Sequence, residues 1–185
     1  MDNSISIIES QLRECYGRAV YSHKTHEKCA DILLTRLSRL KLWQIGLSAV
    51  TTGSFLTTIM GSGREAAVIG IVASTILFAL NAYTKNYDLG ELAQKHKQAA
   101  NDIWLIREQY LSLLIDLAAG TKLADELQIE RDRLVVALHG VYAGSPSTTY
   151  TAYTRAQDAL KNQEEMTFSD DELDSLLPKQ LRRGG

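Results

Sequence analysis

The sequence has few of the residues that interrupt helices or build covalent frameworks. Its 185 residues include two prolines, Pro146 and Pro178, and two cysteines. Two cysteines are too few for a disulfide scaffold and are typical of a protein in a reducing compartment. Residues 1–145 contain no proline, the strongest helix breaker, and no alternating β-branched runs bounded by turns. The sequence therefore predicts an all-α protein.

The chain also lacks a dominant charge of one sign. Lys and Arg number 20 against 22 Asp and Glu, a formal net charge of −2. Because a basic surface is the usual signature of nucleic-acid binding, no direct binding of nucleic acid is expected. Phosphate loops, dinucleotide fingerprints and HExxH motifs are absent, and no nucleophile or acid–base pair is recognisable. The sequence predicts neither an enzyme nor a cofactor-binding protein.

Two long uncharged stretches stand out instead. Residues 42–63 carry no charge over 22 positions, and residues 66–84 carry none over 19. Crossing a bilayer as a helix takes about 20 largely apolar residues, so both stretches qualify by length. The second is strongly apolar, whereas the first contains several hydroxyls and a glutamine. Since residues 61–65 leave room only for a tight turn, a two-helix transmembrane hairpin is predicted over residues 42–84.

Charges and aromatic rings at the ends of the hairpin predict its orientation. Basic residues precede the first stretch and follow the second: Arg36, Arg39, Lys41, Lys85, Lys95 and Lys97. By the positive-inside tendency, both ends and both termini lie in the cytoplasm. Trp43 and Tyr83 are predicted as interfacial anchors at the same boundary. The polar N-terminal segment does not have the pattern of a cleavable signal. The alternative is a helical hairpin buried at the centre of a soluble oligomer.

A seam of apolar and small residues with 3,4 spacing flanks the hairpin on both sides. Before it the seam contains Ile5, Ile8, Leu12, Cys15, Ala19, Ser22, His26, Cys29, Leu33 and Leu40; after it, Leu89, Leu92, His96, Ala99, Ile103, Ile106, Tyr110, Leu113 and Leu117. Such a seam predicts long coiled-coil-like cytoplasmic helices that continue the spans and assemble into a homo-oligomer. The predicted units are an N-terminal helix, the hairpin, a returning helix and a small helical C-terminal appendage: residues 1–41, 42–84, 85–120 and 121–185.

The stretch YSHKTHEKCAD at residues 21–31 concentrates potential metal ligands. In an antiparallel hairpin, residues whose numbers sum to about 126 lie at the same height, which places His26 and Cys29 within one helical turn of His96. Zinc accepts such ligands, but structural zinc normally has four, and no fourth is recognisable. His26, Cys29 and His96 are therefore weak metal candidates. A polar layer that fixes the register of the two helices is the favoured interpretation.

The first uncharged stretch has two different faces. On a helical wheel one face carries Gln44, Ser48, Thr51, Phe55, Thr58 and Ser62, and the opposite face carries Gly46, Ala49 and Gly53. The second stretch has a small-residue face formed by Ala66, Gly70, Ala73 and Ser74. Small residues allow close approach of membrane helices, so the two small faces are predicted to pack together. The polar stripe is then predicted to line an aqueous path between several hairpins; alternatively, its hydroxyls bond carbonyls of their own helix.

Four segments resemble a known family in their order around the hairpin. They are YSHKTHEKCADIL before it, KNYDLGELAQKHKQAANDIWLIREQYLSLLIDL after it, then RDRLVVALHGVY and TFSDDELDSLLPKQLR, within about residues 10–183. The chain resembles the SLATT family, two-helix membrane effectors named for association with SMODS nucleotidyltransferases and SLOG sensors. The resemblance implies an antiphage effector that damages the bacterial inner membrane when a partner senses infection. Implied partners are a cyclic-oligonucleotide synthase, a SLOG protein or a reverse transcriptase. The alternative function is a helical scaffold that oligomerises and conducts nothing.

Overall fold

The computed structural model describes residues 3–61 and 63–182. Regular structure within these residues is entirely helical, so the all-α prediction is confirmed. In chain order the α-helices are α1 (Asn3–Ile59), α2 (Gly63–Asn86), α3 (Leu89–Ala119), α4 (Ala124–Gly144), α5 (Tyr150–Lys161) and α6 (Asp170–Leu176). One 3₁₀ turn follows at Lys179–Leu181.

Helix α1 runs without interruption from the N-terminal part of the seam through the first predicted span. Its 57 residues contain no proline, and at 1.5 Å per residue they extend over about 85 Å. The turn that follows uses glycine where the backbone needs a positive φ, with Gly61 at 86° and Gly63 at 98°. Helix α2 then returns antiparallel to α1, as the hydrogen bonds from Gln44 to Asn81 and Thr84 require.

A short break separates α2 from α3 and starts a new helix in nearly the same direction. The Asp88 carboxylate accepts a hydrogen bond from the Glu91 backbone N–H at 2.8 Å, which caps the N-terminus of α3. Helix α3 then packs along the N-terminal half of α1. It ends at Gly120, whose φ of 66° allows its N–H to reach the carbonyls of Asp116 and Leu117.

The main hydrophobic core lies where α1, α3 and α4 meet. Its buried members are Ile8, Leu12, Cys15, Ala19, Ile103, Ile106, Tyr110, Leu113, Leu127, Leu134 and Leu138. Most of these are residues of the predicted seam, so the seam is the buried face of both long helices. Leu92 is an exception because it is partly exposed and Ala93 takes the buried position. Both cysteines are buried and free.

The C-terminal helices are attached to this core through α4 and α5. Helix α5 packs on α1 and carries three buried alanines with i, i+4, i+7 spacing, Ala152, Ala156 and Ala159. Beside them the rings of Tyr21 and Tyr153 lie 6.1 Å apart. A capping box begins α6, since Ser169 and Glu172 each bond the other's backbone N–H.

The α1–α2 hairpin has the opposite surface. Large apolar side chains face outward from both helices: Leu42, Trp43, Ile45, Val50, Phe55, Leu56, Ile59, Met60, Val68, Ile69, Ile71, Val72, Ile76 and Phe78. Within the described residues one stretch, inside Gly63–Ala119, is long and apolar enough to cross a membrane, and only 6% of it is buried. The first predicted span does not reach that hydropathy. The low burial sets the second span apart from the core helix of a soluble protein.

Candidate functional site

The structure brings His26 and His96 together at the centre of the α1–α3 stalk. Their Nδ1 atoms lie 2.9 Å apart, and the two residues are 4% and 3% exposed. One ring therefore donates and the other accepts. We call this pair the histidine layer. One turn earlier, Nδ1–H of His23 donates to the carbonyl oxygen of Ala100 at 2.9 Å, which extends the polar contact along the same helices.

The histidine layer is held in its neutral form. Burial, together with the neighbouring His96 and His23, lowers the pKa of His26 from 6.5 to about 4. Burial also lowers the pKa of His96. Two neutral rings satisfy each other across the helices, as a polar layer that fixes register requires.

Cys29 lies near this layer but forms no metal-binding cluster with it. Cys29 and His96 line the same cleft, of about 300 Å³, beneath Pro146. No group of three or more His, Cys, Asp or Glu residues within 3–61 and 63–182 is arranged to hold a metal ion. The contact between the two Nδ1 atoms favours the register interpretation of the histidine layer.

The loop between α4 and α5 covers the histidine layer, which the sequence analysis did not anticipate. Pro146 and Ser147 line the cleft beside Cys29 and also a second cleft of about 300 Å³ beside His26. The hydroxyls of Ser22 and Tyr142 are hydrogen bonded at 2.7 Å across the second cleft. The sequence of this tract indicates a loop, but nothing in it indicates which helix the loop contacts.

In the hairpin, part of the polar stripe of α1 faces α2. Gln44 is half-buried and donates to Oδ1 of Asn81 at 3.0 Å and to Oγ1 of Thr84 at 3.2 Å. Farther along, a groove of about 260 Å³ lies between the two helices. Predicted stripe residues and predicted packing residues line it together: Thr51, Phe55, Thr58, Ala66, Gly70 and Ser74.

The predicted packing face of α1 is therefore wrong for the hairpin of a single chain. Gly46 and Gly53 have no atom within 4 Å of where a Cβ would lie, and Ala49 is exposed. The close approach instead joins Gly70 of α2 to Ser54, where an added Cβ would lie 3.1 Å from the serine Cβ. The reason is that α1 is one continuous helix. The face that packs on α3 in the stalk is the same face that packs on α2 in the hairpin.

The hydroxyls of the stripe are bonded within their own helix. Thr51 donates to the carbonyl oxygen of Leu47 at 2.8 Å, and Thr58 donates to that of Ser54 at 2.7 Å. Such bonds satisfy a hydroxyl without water. Ser48 and Phe55 are exposed. Ser62, also predicted as pore-lining, lies outside the described residues.

The two predicted interfacial anchors are exposed at the end of the hairpin nearest the stalk. Trp43 is 67% exposed and Tyr83 is 45% exposed. The ring of Tyr83 packs on that of Tyr87, with centroids 5.1 Å apart. Neither ring is part of a hydrophobic core, so both are available to an external apolar phase.

A second polar site, also missed by the sequence analysis, joins the C-terminal region to α1. The Glu165 carboxylate lies 2.5 Å from Nζ of Lys24 and 3.0 Å from Nζ of Lys28. Burial lowers the pKa of Lys24, but bonds to Glu165 and Glu27 outweigh it, so the pKa is raised overall. The bonds from Lys24 and Lys28 lower the pKa of Glu165. Lys28 and Glu165 are 137 residues apart in the sequence, so no local sequence pattern predicts their contact.

Comparison with known proteins identifies the family. Residues 8–172 match the model of SMODS and SLOG-associating 2TM effector domain family 4. No curated protein and no solved structure matches the chain. The matched region includes the hairpin, the histidine layer and the helices that cover it. This protein therefore belongs to the SLATT family of SMODS and SLOG-associating two-transmembrane effectors.

Proposed function

We propose that this protein is an antiphage effector that oligomerises in the bacterial inner membrane and permeabilises it when a partner activates it. Family membership supports the class of two-transmembrane effector. The partner is a sensor or synthase of the same defence system: a nucleotidyltransferase, a SLOG protein or a reverse transcriptase. No catalytic residue or cofactor is assigned to the effector itself.

One observation carries this proposal: the hairpin exposes a long apolar surface. The most apolar stretch, within Gly63–Ala119, is long enough to span a bilayer and is only 6% buried. Contiguous apolar surface of this extent is rare on soluble monomers. Lipid contact accounts for it directly, with Trp43 and Tyr83 at the cytoplasmic interface.

Topology is testable by cysteine labelling. In a variant without Cys15 and Cys29, a reporter cysteine at Ser62 should react with an impermeant reagent from the periplasm. Reporters at Ser6 and Ser175 should not react in intact cells. The reverse pattern would contradict cytoplasmic termini. Resistance of the wild-type protein to a carbonate wash should separate membrane insertion from a buried hairpin in a soluble oligomer.

The conducting path is proposed to form between hairpins, lined by the exposed part of the stripe. Ser48, Phe55 and Thr58 remain accessible on α1, whereas Gln44 and Thr51 would need the two helices of a hairpin to separate or rotate. Changing Ser48, Thr51 and Thr58 together to Val makes the span more apolar, so insertion should be kept or improved. Permeabilisation should fall, since a dry apolar constriction resists wetting.

The second candidate function is a membrane-anchored scaffold that conducts nothing. The intrahelical bonds of Thr51 and Thr58 favour it, because satisfied hydroxyls do not require a water-filled path. Potassium and dye leakage after activation distinguishes the two functions. Leakage that depends on the stripe supports the pore. A stripe variant that leaks like the wild type at equal abundance shows that α1 does not line it, and absence of leakage from the activated wild type supports the scaffold.

A further inference from the structure

A cavity of about 530 Å³ opens beside the contact between Glu165 and α1. Lys24 and Lys28 line it from α1, and Lys97 and Asn101 line it from α3. The side chain of Lys24 is only 11% exposed, so an ammonium group is held there largely out of water. A desolvated charge requires an anionic partner, and Glu165 supplies one from within the chain.

Glu165 is held in the cavity by a segment with an unusual backbone. Its neighbours Glu164 and Met166 both have positive φ, 51° and 75°, and neither is glycine. Residues with a Cβ rarely adopt this region, and they do so where surrounding contacts impose it. The contacts here are the two lysines, the bond from Glu165 N–H to the Ala159 carbonyl, and Met166 beside Arg107. We call residues 162–168 the strap.

The Glu165 carboxylate neither pairs with every lysine of the cavity nor fills its volume. Lys97 makes no ion pair in the part of the chain that the structure describes, although it lines the same wall as Asn101. Glu27 and Asp31 also line the cavity, so the three lysines face three carboxylates while Glu165 is in place. Without Glu165 the lining carries one net positive charge. The volume exceeds what one carboxylate group fills.

We propose that Lys24, Lys28 and Lys97 form a binding site for a phosphate-bearing anion, which Glu165 occupies until such a ligand displaces it. A phosphate group has more acceptor oxygens and more charge than a carboxylate, so it can engage ammonium groups from both helices at once. Displacement releases the strap, whose backbone strain favours release. The strap leads from α5 to α6, so ligand binding frees the strap and α6 from the stalk.

Phosphate at this site has two conceivable sources, a dissolved ligand and a lipid headgroup. Lys28 lies 13 residues before Lys41, which is about 20 Å along α1 from the proposed membrane boundary. This separation favours a dissolved ligand. Binding at this site is a separate property from conduction, so the experiment below is independent of whether the hairpin forms a pore.

The test is calorimetric titration of pyrophosphate into the full chain in nanodiscs of zwitterionic lipid. Glu165→Gln should bind pyrophosphate at least ten times more tightly than the wild type, because it removes the internal competitor. Lys97→Met should weaken binding at least tenfold in the Glu165→Gln background, although Lys97 makes no ion pair with Glu165 in the wild type. Glu91→Gln is the matched control. It removes the carboxylate of the exposed Lys95–Glu91 ion pair and should leave the affinity for pyrophosphate unchanged.

The exposed Glu164 offers a second test that leaves the charged groups of the site in place. Glu164→Gly should tighten the strap and weaken pyrophosphate binding, because glycine accepts positive φ. Glu164→Val should loosen the strap and strengthen pyrophosphate binding, because a β-branched residue does not accept positive φ. Glu164→Gln is the charge-matched control for both. Hydrogen exchange of residues 150–168 should rise with pyrophosphate.

Three results would overturn the proposal. They are absence of pyrophosphate binding to Glu165→Gln, equal affinities of Glu165→Gln and Glu91→Gln, and undiminished binding by Lys97→Met. Repeating the titration with phosphatidylglycerol in the nanodiscs identifies the source of phosphate. A lipid headgroup in the cavity abolishes the pyrophosphate signal, whereas a site for a dissolved ligand retains it. Circular dichroism of each variant checks that the helices are intact.

Discussion

The two halves of α1 have opposite surfaces. The first half buries a mixed seam that includes the histidine layer and exposes ion pairs such as Arg13–Glu9. The second half exposes leucine, isoleucine and phenylalanine and turns Gln44 and Thr51 toward its neighbour. In the proposed topology this single helix, with a continuous backbone, lies partly in water and partly in lipid. What changes along it is the outward face, whereas the inward face mixes apolar, small and polar residues in both halves.

The two inward faces also use polar groups in a similar way. In the stalk His26 and His96 satisfy each other, and in the hairpin Gln44 is satisfied by Asn81 and Thr84. Each contact joins residues distant in sequence and specifies one register of the helix pair. Buried polar contacts of this kind contribute more to specificity than to stability.

The largest expected effect comes from placing a charge on the outward face of the hairpin. Val72→Lys puts an ammonium group on an exposed position of α2. In lipid a lysine near the centre of a span costs about 3 kcal/mol, so membrane insertion and abundance should fall strongly. Membrane fractionation with quantitative immunoblotting measures the effect.

The matched control for this change lies outside the hairpin, on α4. Val136 on α4 is also exposed, and exposed substitutions in water usually change stability by no more than about 0.5 kcal/mol. Val136→Lys should therefore accumulate in the membrane like the wild type. Equal tolerance of both lysines would refute the two-solvent interpretation of the hairpin.

The histidine layer should make the stalk sensitive to acid. The folded-state pKa of His26, about 4, lies below the ordinary value of 6.5, so the unfolded chain takes up the proton first as pH falls. Stability is fully present above pH 6.5 and is lost as pH falls toward 4. Between pH 7.5 and pH 5 the loss should be about 2 kcal/mol. Denaturant unfolding of the solubilised protein at the two pH values measures it.

A variant without the imidazoles isolates this contribution. His26→Leu combined with His96→Leu removes both titrating rings and leaves no unpaired partner. Its unfolding free energy should change less between pH 7.5 and pH 5 than that of the wild type. The comparison stops at pH 5 because carboxylates such as Glu165 begin to lose their ion pairs at lower pH. An unchanged pH dependence in the double variant would mean that the layer is not the origin of the acid sensitivity.

The elements that the sequence predicts correctly are those set by residues close together in the chain. Absence of proline predicts the long α1, glycines at positive φ mark two helix ends, and seam spacing predicts the face that carries Leu12 and Ile103. The facing positions of His26 and His96 followed from the turn and antiparallel pairing alone. The contact of Glu165 with α1 did not, because its position depends on how α4 and α5 fold back.

The error about the packing face of α1 has a specific origin. The helical wheel treated the first span alone and assigned its polar side to an external path. Continuing the 3,4 seam beyond Cys29 and Leu33 leads to Leu40, Gln44, Leu47, Thr51 and Ser54, which are the half-buried positions. The seam spacing, continued into the hairpin, therefore predicts the face of α1 that packs on α2. Because α1 continues from the stalk into the hairpin, it keeps the register set by its partner helices α3 and α2.

The contact at Gln44 should contribute a smaller amount to the hairpin. Gln44→Leu removes both hydrogen bonds and leaves Asn81 without this donor, while making the span more apolar. Polar contacts between membrane helices contribute about 1 kcal/mol, so the association of α1 with α2 should weaken by that amount while insertion is retained. Double-mutant cycles with Asn81→Leu, measured by unfolding in detergent, should give a coupling energy of this size. Additive effects would indicate that the contact does not specify the register.

The smallest expected effects distinguish the inner and outer glycines of the hairpin. Gly53→Ala adds a methyl group where no atom lies within 4 Å, so the better helix propensity of alanine should stabilise the single hairpin by about 0.5 kcal/mol. Gly70→Ala gains the same propensity but places its Cβ 3.1 Å from that of Ser54, so the helices must shift and the gain should be cancelled or reversed. Unfolding of the solubilised monomer measures both variants.

The oligomer gives the sharper comparison, because a neighbouring subunit packed on the Gly46–Gly53 face would oppose the methyl group of Gly53→Ala. Gly53→Ala would then stabilise the monomer and weaken the assembly, a pair of opposite signs that an outer face in contact with lipid alone cannot produce.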